Sequence, residues 1–147
     1  MITIKGNILA VKNGFICHQV NCRGMLDSKL SESIANVWPR LLTDYIQAFR
    51  TGKLELGQVI FTTINLNRLH IATLCAEEDS GAYMRKLSYP ALGSCLQKVE
   101  DWYKMVGLKK LPVYIPWKIG CNSSGGDWHV VSEIIKREIS NAIVVKL

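Results

Sequence analysis

The chain reads as an α/β domain in which helices cover both faces of one sheet, a three-layer α/β/α arrangement. Three observations predict it. Hydropathy switches repeatedly between strand-like and helix-like periods. The resulting order, β-β-α-α-β-β-α-β-α-β, mostly alternates strands with helices. Two loops rich in Gly, Asn and Ser each join a strand end to a helix start. With 147 residues, 48% hydrophobic and 20% charged, the expectation is one domain spanning 1–147.

Ile2 and Ile4 alternate with Thr3 and Lys5, predicting a short strand stopped by Gly6-Asn7. The β-rich run Phe15–Val20 follows Asn13-Gly14 and ends in a polar loop. Leu30, Ile34, Val37 and Trp38 keep a helical period, with Ser28 placed to cap and Pro39 to stop the helix or start another turn. Leu41, Leu42, Tyr45, Ile46 and Phe49 make a second helical piece ending near Thr51-Gly52. Val59–Ile64 and Leu69–Cys75, separated by Asn65-Leu66-Asn67, predict a hairpin. Glu77-Glu78-Asp79-Ser80-Gly81 reads as a solvated acidic loop. Tyr89, Leu92, Cys95, Leu96, Val99, Trp102 and Val106 form a long amphipathic helix ended by Gly107, with Pro90 in its first turn. Val113-Tyr114-Ile115 is a brief strand, Pro116–Gly126 a loop, Trp128–Ile139 a helix and Ile143–Val145 a closing strand.

Composition narrows the function classes. No apolar run approaches the roughly 18 residues of a membrane span, and the N-terminal segment lacks a secretory pattern, so a cytoplasmic setting is expected. Five cysteines without framework spacing read as reduced thiols, and no ligand cluster predicts a metal. No cofactor is expected either. The net charge of +6 favours anionic partners, but adjacent basic residues occur only as isolated pairs such as Lys109-Lys110 and Lys136-Arg137, too little to establish a nucleic-acid binder.

Chemistry concentrates in the two loops, because ligands of such sheets collect beyond strand carboxyl ends where helix N-termini also lie. In Ile119-Gly120-Cys121-Asn122-Ser123-Ser124-Gly125-Gly126-Asp127, main-chain amides can surround a phosphate, glycine removing the Cβ that would hold an anion away. The same residues equally describe a glycine-rich turn with an Asp127 cap. In Asn21–Lys29, the Asn21 amide can donate and accept as ribose hydroxyls demand, or it can serve turn chemistry. Trp117 is placed to stack on adenine or ribose, whereas Trp128 and Tyr114 suit the core.

Taken together, Ile4-Lys5-Gly6-Asn7-Ile8-Leu9, His18-Gln19-Val20-Asn21-Cys22-Arg23-Gly24-Met25, Trp38-Pro39, Leu56-Gly57, Ile115-Pro116, Ile119-Gly120-Cys121 and Gly125-Gly126-Asp127-Trp128 resemble the macro domain family in order and spacing. The resemblance implies a mixed, mainly parallel sheet of about six strands between helices and a cleft for ADP-ribose. It is similar to stand-alone minimal macro domains and to the terminal-ADP-ribose hydrolase and ADP-ribose-1''-phosphate phosphatase branches. The implied partner is ADP-ribose or a related nucleotide, free or carried by a protein or nucleic acid. The implied ligand residues are Asn7, Ile8, Asn21, Met25, Asp27, Ser28, Lys29, Leu30, Trp117, Ile119, Gly120, Cys121, Asn122, Ser123, Ser124, Gly125 and Gly126, with Asn21 at the distal ribose. Asn7 stands for a usual aspartate, Asn122 for a usual glycine, and Asp27-Ser28-Lys29 for a usual Gly-Ser-Gly. Asp27 is therefore expected to bring a carboxylate close to the diphosphate, with Lys29 offsetting its charge.

The Thr-Lys pair of one hydrolase branch is absent after Leu74, where Cys75-Ala76-Glu77-Glu78 stands, so a covalent lysine route is not supported. Two functions stay open. One is a hydrolase of a terminal ADP-ribosyl or 1''-phosphate bond, with Asn21 near the ribose and Asp127, His18 or Glu77 orienting water. The other is a non-catalytic, degenerate module that binds a nucleotide, nucleic acid or protein.

Overall fold

The computed structural model describes residues 1–78, 85–106 and 111–147. Strands β1 (Ile2–Lys5), β2 (Gly14–Asn21), β3 (Val59–Asn65), β4 (Leu69–Glu77), β5 (Val113–Pro116) and β6 (Ala142–Lys146) form one six-stranded sheet in the order β1-β6-β5-β2-β4-β3. All neighbours run parallel except β3 and β4, which make the expected antiparallel hairpin. The fold is thus α/β with a mixed, mostly parallel sheet, as expected.

Helices α1 (Lys29–Val37), α2 (Pro39–Arg50), α3 (Tyr89–Val106) and α4 (Trp128–Glu138) cover the two faces. Ser28 caps α1 by accepting from the Ser31 N–H at 3.1 Å, and Pro39 occupies the first turn of α2, where its missing N–H is harmless. Asp79, Ser80, Gly81 and Gly107, assigned above to an acidic loop and a helix stop, lie outside the described residues.

Side chains of β2 alternate between two cores. Phe15 and Cys17 meet α3 and α4 through Leu92, Cys95, Leu96, Val131 and Ile135. Ile16 meets Ile34 and Leu41 of α1 and α2, and Val20 meets Tyr45 of α2. A strand covered on both faces needs apolar residues on both, which explains the continuous runs in β2 and β4. One cluster is aromatic: the Phe15 ring lies 5.0 Å from His70, 5.3 Å from Trp102 and 5.4 Å from Tyr103, centroid to centroid.

Direction of departure positions the site. The chain leaves β2 for α1 on one face and leaves the adjacent β5 for α4 on the other. The two connections diverge and leave a crevice at the carboxyl ends of the strands. Among the described residues no helix is long and apolar enough to cross a membrane. Truncating Phe15 removes a ring packed against both β4 and α3, so Phe15→Ala is expected to lose about 3–5 kcal/mol of unfolding free energy, read as a lower urea midpoint.

Candidate functional site

The first wall of the crevice follows β2. The Asn21 side chain is buried and shapes the turn: Oδ1 accepts from the Arg23 N–H at 2.9 Å and from the Tyr45 hydroxyl at 2.8 Å, and Nδ2 donates to the Met25 carbonyl at 2.8 Å. The Tyr45 hydroxyl also lies 2.7 Å from the Asn21 carbonyl. Gly24 follows at φ +75°, and a Cβ there would meet the Phe49 ring at 2.5 Å. This turn sets where α1 begins. The amides of Lys29 and Leu30, at the helix start, meet no acceptor among the described residues.

Asp27 does not crowd the crevice, contrary to expectation. It is exposed and pairs with Arg23 at 3.0 Å, because Arg23 sits four residues earlier on the outside of the same turn. Met25 is 69% exposed and lines a separate depression beside α2 with Leu42 and Ile46. Lys29 is also exposed.

The second wall is the segment 117–127. Its glycines are explained first by the wall's own packing: a Cβ on Gly120 (φ +72°) would meet Leu87 at 2.8 Å, and one on Gly126 would meet the Gly120 carbonyl oxygen at 2.6 Å. The Gly126 N–H donates to that carbonyl at 2.8 Å. Lys118 adopts φ 60°, a left-handed conformation rare for a residue with a Cβ. The amides of Gly120, Asn122, Ser123 and Ser124 donate to no acceptor among the described residues. Asp127 is exposed and caps α4, its Oδ1 accepting from the His129 N–H at 2.8 Å.

Between the walls lies a cleft in two parts. A narrow inner part of about 80 Å³ is lined by Gln19, Ser28, Ser31 and Gly120 together with Asn122–Ser124. It shares Leu30, Pro116, Trp117 and Asn122 with an outer part of about 490 Å³ that reaches Asn7 and Ile8. Of the residues expected to bind ligand, Asn7, Ile8, Ser28, Leu30, Trp117, Ile119, Gly120, Asn122, Ser123 and Ser124 line this cleft. Asn21, Cys121, Gly125 and Gly126 are not part of that lining. The Trp117 ring, shared by the two parts, carries the ammonium groups of Lys146 and Lys118 at 4.1 and 4.6 Å from its centroid, and Lys118 also lines the inner part.

Behind the inner part, sequence reasoning missed a polar cluster. Glu77 was expected in a solvated loop; instead it ends β4 and is 4% exposed. Its Oε2 accepts from Gln19 Nε2 at 3.0 Å and from Ser124 Oγ at 3.1 Å, and Ser124 Oγ also lies 3.3 Å from Gln19 Oε1. The available signal was an acidic residue abutting the apolar run Leu69–Ala76, which keeps the strand going by one more buried position.

His18 is buried under α1. Its Nδ1 pairs with Ser31 Oγ at 2.9 Å and its Nε2 with Thr73 Oγ1 at 2.7 Å, so both ring nitrogens are occupied. Burial pushes its pKa down to about 4. Cys121, which the cleft loop carries, is pushed up to about 11 by burial and the nearby Asp127 charge, and Cys17 is raised by burial. Neither is a ready nucleophile. Among the described residues no group of three His, Cys, Asp or Glu is arranged to hold a metal.

The sequence matches no family model and no curated protein. Solved structures share the fold. A Bacteroides thetaiotaomicron protein is 25% identical with TM-score 0.87, over 100% of this chain and 99% of that one. A macrodomain protein from Streptomyces coelicolor is 22% identical with TM-score 0.80, over 99% and 97%. Thermosipho africanus DarTG, solved in complex with ADP-ribose, is 16% identical with TM-score 0.74, over 100% of this chain and 42% of that one. The architecture is therefore that of a macrodomain.

A buried neutral histidine makes stability depend on pH. With the folded pKa near 4 against an ordinary 6.5, the unfolded chain takes up the proton first. Stability is full above 6.5 and lost as pH falls through 4, and His70, also lowered by burial, acts in the same sense. Urea unfolding between pH 7 and pH 4 should show this decline, and His18→Gln should flatten it while lowering stability at pH 7.

Proposed function

We propose that this macrodomain fold recognises ADP-ribose or a terminal ADP-ribosyl group. The observation that carries the reading is the set of four main-chain amides, on Gly120, Asn122, Ser123 and Ser124, that meet no acceptor among the described residues and belong to residues lining a cleft opposite the start of α1. Such donors suit a diphosphate, and the helix terminus adds a favourable dipole of about 0.3–1 kcal/mol per anionic group. The adenosine end takes the wider part beside Asn7, Ile8 and Trp117, and the distal ribose takes the narrow part toward Gln19 and Ser124. The Thermosipho africanus complex supports the choice of ligand. The chain's five free thiols suit a reducing, cytoplasmic compartment, and its charge of +6 suits a carrier that is itself anionic, whether protein or nucleic acid.

Recognition without chemistry is the simpler form of this reading. His18 has both nitrogens occupied, Asp127 is committed to its cap and Asn21 to its turn. Hydrolysis has one observation in its favour, the Glu77 carboxylate beside the ribose end, which is the group able to take a proton from water there.

Calorimetric titration with ADP-ribose is expected to give one site. Trp117→Ala should weaken binding about tenfold through lost stacking, and Asp27→Ala should leave it within about twofold because its carboxylate pairs outside the cleft. Absence of heat with ADP-ribose at millimolar concentration refutes the reading. Release of ADP-ribose from an ADP-ribosylated carboxylate, abolished in Glu77→Gln, establishes the hydrolytic form; no release leaves a recognition module.

A further inference from the structure

The cleft carries charge of both signs. Lys146 holds its ammonium group against Trp117 toward the outer part, while Lys118, whose ammonium lies over the same ring, belongs to the lining of the inner part. At the inner end stands Glu77, 4% exposed, with no lysine or arginine among the described residues within ion-pair distance. Its two hydrogen bonds converge on Oε2, and Oε1 meets no donor among the described residues.

Proton direction decides what the floor offers. The Gln19 Nε2 donates to Glu77 Oε2 at 3.0 Å and to the Val20 carbonyl at 3.2 Å, which fixes the amide's orientation and leaves Oε1 as an acceptor. The Ser124 hydroxyl has a single proton, and both of its neighbours, Glu77 Oε2 and Gln19 Oε1, accept it. Its lone pairs are what remain for a ligand. The floor thus presents acceptors backed by a carboxylate, while the wall above presents the amide donors of Gly120 and Asn122. Phosphate oxygens suit the wall, and hydroxyl hydrogens suit the floor.

We propose that Glu77, acting through Gln19 and Ser124, is a specificity-determining positioning residue that admits a neutral, hydroxyl-bearing sugar terminus at the cleft floor and rejects a phosphorylated one. This rests on the ADP-ribose reading and narrows it: the ligand ends in an unphosphorylated ribose, and ADP-ribose-1''-phosphate is disfavoured. Bringing a phosphate toward a buried carboxylate that has no cation within ion-pair distance among the described residues opposes like charges where water screens them poorly.

The test compares affinities for ADP-ribose and ADP-ribose-1''-phosphate by calorimetry. Wild type is expected to favour ADP-ribose by at least about tenfold. Glu77→Gln keeps the shape and both acceptor contacts but removes the charge, so the preference should shrink to within about threefold, mainly through tighter binding of the phosphorylated ligand. Ser124→Ala keeps the carboxylate and removes one of its donors, so its preference should match or exceed that of wild type. Far-ultraviolet circular dichroism and melting temperature establish that each variant is folded. If wild type binds both ligands equally, or if Ser124→Ala loses the preference as Glu77→Gln does, the charge is not the selector and the inference falls while ADP-ribose recognition stands. If wild type binds neither ligand, the recognition reading falls and the inference with it.

Discussion

Two neighbouring strands that send their chains to opposite faces of one sheet are the constraint on which this molecule is built. β2 and β5 run parallel side by side, yet α1 packs on one face and α4 on the other. Parallel strands buried on both sides require such crossovers, and where the crossovers diverge they leave a crevice beyond the strand ends. The cleft is a by-product of covering the sheet. Its lining residues then decide what it can hold.

Hydrogen bonding around Asn21 converts that space into a shaped wall. An amide buried at a strand end has to satisfy its donors and acceptor locally, and it does so with Arg23, Met25 and Tyr45. Tyr45 comes from α2, so the turn before α1 is clamped by the helix after it. The same economy recurs at Ser124, whose carbonyl accepts from the Lys86 and Leu87 amides at 2.9 and 3.0 Å while its hydroxyl faces Glu77 and Gln19.

Fold and loops were legible in the sequence for physical reasons that differ from residue to residue. Continuous apolar runs located β2 and β4, and helical spacing with Ser28 and Pro39 located α1 and α2, because burial and capping act on local sequence. The glycine-rich segment after β5 announced a tight loop for the same reason. What local pattern could not convey was side-chain pairing across the fold. Asp27 read as an intruder because its partner, Arg23, matters only once the turn is closed. Glu77 read as solvent-facing because its donors, Gln19 and Ser124, are 58 and 47 residues away in sequence. His18 likewise finds Thr73 only across the β2–β4 pairing.

Lys118 holds a left-handed backbone conformation that a Cβ disfavours, followed by the left-handed Gly120 and Gly125. Such a conformation costs on the order of 1–3 kcal/mol and persists only where surrounding contacts over-determine it. Here the Cys121 amide donates to the Lys118 carbonyl at 2.9 Å, and Leu87 packs against Gly120. These contacts hold the turn in that conformation ahead of any encounter. A partner arriving at it meets a preorganised mould, and little conformational entropy remains to be surrendered on association.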